Sequence, residues 1–164
     1  MSHQIIKCSK GIDILVDEED FERMSSFNWN TYGGYARTFQ RRVENDRKLT
    51  SMSMHRLVMN ATNPEIVIDH INGDTLDNRK ANLRFATVAQ NAQNRNKVKG
   101  CSSKYLGVTY HKRDERWQTQ VRHNGKRHYV GLYLTEEEAA RAYDIKAKEL
   151  HKEFARLNFP EEQV

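Results

Sequence analysis

Residues able to meet both a phosphodiester and its attacking water fall within one short stretch of the chain. Asp69 and His70 end the apolar run Ile66-Val67-Ile68, Asn82 follows after eleven intervening residues, and Asn91 after eight more. An aspartate carboxylate and an asparagine amide oxygen are hard donors. They suit Mg²⁺ or Mn²⁺, with the remaining coordination positions left to water and phosphate oxygens. A neutral imidazole, with an ordinary pKa of about 6.5, can take a proton from water near neutral pH. The stretch therefore reads as a one-metal hydrolytic site with Asp69 and Asn91 as metal ligands and His70 as general base. The cation would stabilise charge on the phosphate and on the leaving 3′ oxygen.

These residues have to be positioned by local structure. Asn72-Gly73-Asp74 supplies a turn, Thr75–Lys80 a polar loop, and Asn82–Ala86 a second alternating strand. Thr87 is a good N-cap for a helix from Val88 to about Arg95. In such a ββα unit the end of the first strand can face the first turns of the helix, bringing Asp69 and His70 near Asn91. Among the neighbours, Asp77 and Asn78 are expected to shape the loop, Asn94 to lie on the helix surface or meet phosphate, and His55 to start a helix. Arg84, on the strand beside the site, is a candidate phosphate contact.

Upstream, short strands are expected at Ile5–Ile6, Ile12–Val16, Tyr35–Phe39 and Leu49–Met54. Helices are expected from Asp17, with Phe21 and Met24 on one face, and over His55–Met59. None of residues 1–50 presents a catalytic pattern. Downstream, the polar and basic stretch around NKVKGCSSK reads as a linker. Three further strands follow at Tyr105–His111, Arg116–Arg122 and Arg127–Tyr133. The last two are joined through Asn124-Gly125, the strongest short hairpin signal. Alternation puts Trp117, Thr119, Val121, His128, Val130 and Leu132 on one face, and Arg116, Gln118, Gln120, Arg122, Arg127 and Tyr129 on the other. Thr135 and Glu138 form a capping box, opening a helix whose alanines allow close approach to the apolar face.

The charge is unevenly distributed. Residues 91–128 hold ten Lys and Arg against Asp114 and Glu115, a local +8 that leaves −3 for the remainder of a +5 chain. A basic block of this kind points to a polyanion, because each neutralised phosphate releases counterions. With 37% hydrophobic and 30% charged residues, 164 residues suit two small modules. The apolar runs fall short of a membrane span and no signal pattern opens the sequence, so a cytoplasmic protein is expected. Cys8 and Cys101 stand far apart without CxxC spacing, so neither a disulfide framework nor a cysteine-rich zinc site is expected.

The segment IDHINGDTLDNRKANLRFATVAQN (68–91), preceded by MHRLVM (54–59), resembles the HNH nuclease motif in its homing-endonuclease form. The resemblance implies the same ligands and base, and gives Asn82 the task of bonding across the ββ turn to hold His70. Family members with a structural zinc carry cysteine pairs that this chain lacks, so one divalent cation and no zinc is expected. The segment from Tyr105 through TEEEAARAYD to the closing LNFP (157–160) resembles the plant ethylene-response-factor, apetala-type DNA-binding domain. In that family a three-stranded sheet enters the major groove. Matching positions make Arg116, Gln120, Arg122, Arg127 and Tyr129 the expected contacts. Leu106 and Thr109 stand where the plant domains usually have arginines.

The expected architecture is α+β. It comprises short N-terminal strands and a ββα-metal module over 1–94 (core 54–94), a basic linker at 95–104, and a three-stranded antiparallel sheet on one helix over 105–164. The expected function is a metal-dependent DNA endonuclease of a phage or mobile element, acting on double-stranded DNA. It would need no small-molecule cofactor and would be able to work as a monomer. The alternative is a non-catalytic DNA-binding regulator that keeps the HNH scaffold.

Overall fold

A hairpin, a three-stranded sheet and two short helices form the N-terminal frame on which the Asp-His strand is mounted. The computed structural model describes residues 2–41, 49–94 and 102–160, so the basic loop 42–48, Cys101 and most of the expected linker lie outside the described residues. Two compact units emerge, Met1–Thr87 and Val88–Val164, each α+β.

In the first unit, β1 (His3–Lys7) and β2 (Asp13–Asp17) pair antiparallel, and α1 (Glu18–Ser25) follows with three acidic residues in its first turn, favourable to the helix dipole. The strands β3 (Asn30–Tyr32), β4 (Tyr35–Arg41) and β5 (Leu49–Ser53) make a three-stranded antiparallel sheet that runs directly into α2 (Met54–Val58). The Asp-His strand is β6 (Val67–His70), paired antiparallel with β7 (Leu83–Ala86). A 3-10 turn at Lys80–Asn82 takes up what the sequence suggested as the start of that second strand. One core serves all these elements, built on Ile14, Val16, Met24, Met54 and Val58, each 1% exposed or less, with Ile68 and Leu83 of the β6–β7 pair packed into it.

In the second unit, α3 (Val88–Gln93) precedes a sheet of order β10-β9-β8, made of β8 (Val108–His111), β9 (Arg116–His123) and β10 (Lys126–Tyr133). Asn124 and Gly125 both take positive φ, as a two-residue type I′ turn requires. Helix α4 (Glu136–His151) opens with the expected capping box, Thr135 Oγ1 accepting from the Glu138 amide at 3.2 Å and Glu138 accepting from the Thr135 amide at 3.1 Å. Its alanines 139, 140 and 147 are fully buried among Val108, Val121, Trp117 and Leu150.

Two strand expectations are corrected. Tyr105–Gly107 is not strand, because the backbone leaves the extended region at Gly107 (φ +72), where a Cβ would lie 2.1 Å from the Tyr143 ring. Strict alternation also fails in β10. A bulge between Tyr129 and Gly131 shifts the register, so that Leu132 pairs with Gln118 on the polar face and Tyr133 with Trp117 on the apolar one. Leu132 is consequently 40% exposed, and Tyr133 joins the core in its place.

The closing LNFP segment is tied down by one carboxylate. Asp144, buried on α4, accepts from the Asn158 and Phe159 amides at 2.8 Å each, while the Asn158 side chain accepts from the Leu106 amide at 2.7 Å. Asp144→Ala is expected to destabilise the second unit by about 2–3 kcal/mol, since hydrogen bonds to a charged group are lost. Chemical denaturation would measure the loss, and amide exchange should rise first at Asn158 and Phe159.

Candidate active site and nucleic-acid interface

Asp69 and His70 stand consecutively at the end of β6, each 4% exposed. Cross-strand pairing sets Arg84 opposite Asp69, and the guanidinium reaches one carboxylate oxygen through Nε at 2.8 Å and a terminal nitrogen at 2.6 Å. Arg84, expected as a phosphate contact, is therefore engaged with the proposed ligand, and its side chain is only 17% exposed.

Two aromatic neighbours pack against the His70 imidazole. The His55 ring meets it edge to face at 5.3 Å, and Tyr35 lies 5.5 Å from His55 and 6.0 Å from His70. Burial lowers the His70 pKa, against the opposite pull of the Asn78 amide and the carboxylates of Asp69, Asp74 and Asp77. Burial, then His70, Arg56 and Arg37, bring His55 down from 6.5 to about 4. Both imidazoles are thus held neutral near pH 7, the state in which a histidine can accept a proton.

Asn82 spans the turn. Its side-chain oxygen accepts from the Asn72 amide at 2.9 Å, its side-chain nitrogen donates to the Asp77 carbonyl at 2.8 Å, and its carbonyl accepts from the Ile71 amide. The loop it spans is fastened to the N-terminal hairpin: Leu15 exchanges backbone bonds with Leu76 and Asn78, and the Lys80 amide donates to Asp17 at 2.7 Å. Upstream, Arg56 donates to the carbonyls of Ala61, Asn63 and Ile66, fixing the approach to β6. Asn91 lies half-buried on α3, in the second unit.

Sequence reasoning missed Tyr35 and the direct influence of Asn78 on His70. Nothing in the spacing marks Tyr35, whereas the buried Asp77-Asn78 pair was visible only as loop chemistry. In the donor set, Asp69 offers a hard oxygen next to a neutral imidazole, which fits a divalent cation. Among the described residues no cluster of three His, Cys, Asp or Glu gathers round a single point.

On the second unit's sheet, Arg122 pairs with Arg127 and Gln120 with Tyr129, so these four share a face, and β9 alternation adds Arg116 to it. Arg116, Arg122 and Arg127 are exposed, Tyr129 is 61% exposed, and Gln120 is half-buried. Among the described residues no helix is long and apolar enough to cross a membrane.

Comparison with known proteins matches residues 53–93 to the family model described as HNH endonuclease, and residues 103–153 to that described as AP2 domain. The chain is similar to an uncharacterized HNH endonuclease, L560, of Acanthamoeba polyphaga mimivirus, at 32% identity over 155 residues, 91% of this chain and 76% of that one. Protein 3.8 of Escherichia phage T7 is 34% identical over 90 residues, 55% of this chain and 74% of its own length. The AP2-like ethylene-responsive transcription factor TOE2 of Arabidopsis thaliana is 41% identical over 58 residues, 35% of this chain and 12% of that protein.

The depressed histidine pKa values have a consequence for stability. An unfolded chain takes up protons near pH 6.5, before the folded one does, so this contribution is complete above that pH and is lost as pH falls toward 4. His55→Phe, which keeps a ring in place, is expected to flatten the fall. Urea unfolding of both proteins at pH 7 and pH 5 would test this, equal slopes being the contrary result.

Proposed function

The chain belongs to the HNH endonuclease family and carries a C-terminal AP2 domain, and from that premise we propose that it is a divalent-metal-dependent DNA endonuclease. The observation that carries the reading is the buried, neutral His70 beside the Asp69 carboxylate at the end of β6. His70 accepts the proton of the attacking water, and the packing of His55 and Tyr35 limits the directions its ring can take. Asp69 and Asn91 would hold one cation, Mg²⁺ or Mn²⁺. When bound, that ion supplies charge stabilisation to the scissile phosphate and the leaving oxygen. Arg84 orients the Asp69 carboxylate and stands ready to meet phosphate oxygens. Asn82 keeps the turn closed behind His70.

The second unit binds double-stranded DNA through Arg116, Gln120, Arg122, Arg127 and Tyr129, a face to which the bulge adds Leu132. In this reading the boundary between modules falls in the basic segment 95–104, with α3 completing the nuclease motif. The protein works as a cytoplasmic monomer on phage or mobile-element DNA, in the manner of a homing enzyme.

Wild-type protein is expected to nick or cut supercoiled plasmid with Mg²⁺ or Mn²⁺, and His70→Ala to lose at least about a hundredfold in rate, the low end of what a general base contributes, while DNA affinity is retained. A wild type that binds DNA and never cuts would make the protein a regulator on an HNH scaffold. Arg122→Ala is expected to weaken duplex binding and to reduce the salt slope by about one. Fluorescence anisotropy across a salt series reads both effects, and superimposable curves would remove Arg122 from the interface.

A further inference from the structure

The small sheet β3–β4–β5 has a face that the core does not use. Cross-strand pairing puts Asn30 and Tyr32 of β3, Tyr35, Arg37 and Phe39 of β4, and Leu49, Ser51 and Ser53 of β5 on that side, while Ala36 and Thr38 of β4 are buried on the other. Tyr32 is 66% exposed and Phe39 48%. Arg37 lies between them, its guanidinium 5.7 Å above the Tyr32 ring. No acidic residue falls among these eight. At the other end of β4, Tyr35 on the same face reaches the His55 and His70 rings.

We propose that this face is a platform for an unpaired DNA strand, which runs along β4 over Phe39, Arg37 and Tyr32 and enters the site at His70 past Tyr35. The proposal rests on the nuclease reading for its destination. Its chemistry comes from the face itself: exposed aromatic rings on a sheet stack bases whatever their identity, and an arginine between them meets the phosphates. From Tyr35 to Phe39 the strand advances about 13 Å, the length of roughly four stacked nucleotides. Duplex DNA suits the face poorly, because its bases already stack on each other and one cation neutralises little of its charge. The grid of arginines on the β8–β9–β10 sheet has the chemistry for duplex. A second protein copy also suits it poorly, since Arg37 and two serines break the rings into separate islands instead of one apolar patch.

The test uses the full chain in EDTA with a fluorescein-labelled oligodeoxythymidylate of about twelve nucleotides, unlabelled duplex saturating the second unit. The Tyr32→Ala, Phe39→Ala double variant is expected to bind it at least about tenfold more weakly, and Arg37→Gln to lower the salt slope by about 0.7. Duplex affinity, measured separately, should stay within about twofold of wild type. The double variant Tyr32→Phe, Phe39→Tyr keeps both rings and should bind as wild type does, which separates stacking from misfolding. Failure of wild type to bind the oligonucleotide, an unaffected alanine variant, equal losses on duplex and single strand, or failure of the ring-conserving variant would each overturn the proposal. So would a wild-type dimer in sedimentation that the alanine variant abolishes. Oligonucleotide binding that behaves as expected in a protein unable to nick plasmid would keep the platform and sink the nuclease reading. Nicking without the expected binding would sink the platform alone.

Discussion

A single buried carboxylate, Asp77, holds the irregular backbone between β6 and β7, and the surrounding elements of the first unit keep it paired. It is 2% exposed, yet it receives two bonds of 2.7 Å from Arg79 and one of 3.0 Å from Asn72, and the Arg79 guanidinium holds its pKa below the usual carboxylate value. A buried charge deprived of its partner costs several kcal/mol, so the loop has little freedom to adopt another shape. Its backbone meets the same requirement through Leu15 of β2, and Asn82 closes the circuit by donating to the Asp77 carbonyl. The N-terminal hairpin thereby acquires a purpose. It supplies the hydrogen-bond partners that a buried loop beside the Asp-His strand cannot find within its own short sequence.

The same enclosure sets the electrostatics of the site. Arg84 faces Asp69 across the ladder and pairs with its carboxylate, whereas burial lowers the pKa of His70, and burial together with the neighbouring His70 lowers that of His55. One ion pair and two neutral rings thus gather around the end of β6. His55 sits far below the range in which it could compete with His70 for a proton near neutrality.

Much of this was legible where local chemistry decides structure. Asn124-Gly125 makes a tight turn, Thr135 and Glu138 satisfy each other at the start of a helix, and the apolar run before Asp69 leads into a strand that buries Ile68 in the core. What escaped notice depends on a third element. The bulge at Val130–Gly131 exchanges Leu132 for Tyr133 in the core, and no strand alternates visibly out of step until its partner's register is known. The chain turns at Gly107 before β8 begins, and the Tyr143 ring occupies the space a side chain there would need. Tyr35 joins the histidines by virtue of the sheet's hydrogen-bond register, a contact that spacing along the chain does not encode. The first compact unit ends at Thr87, whereas composition alone marks the basic stretch 95–104.

Charge completes the division of labour. Through Thr87 the chain carries twelve cationic and twelve anionic side chains, so the whole net charge of +5 belongs to the residues after it. A balanced unit releases few counterions and has little affinity of its own for a polyanion, while the basic one gains affinity with each phosphate it neutralises.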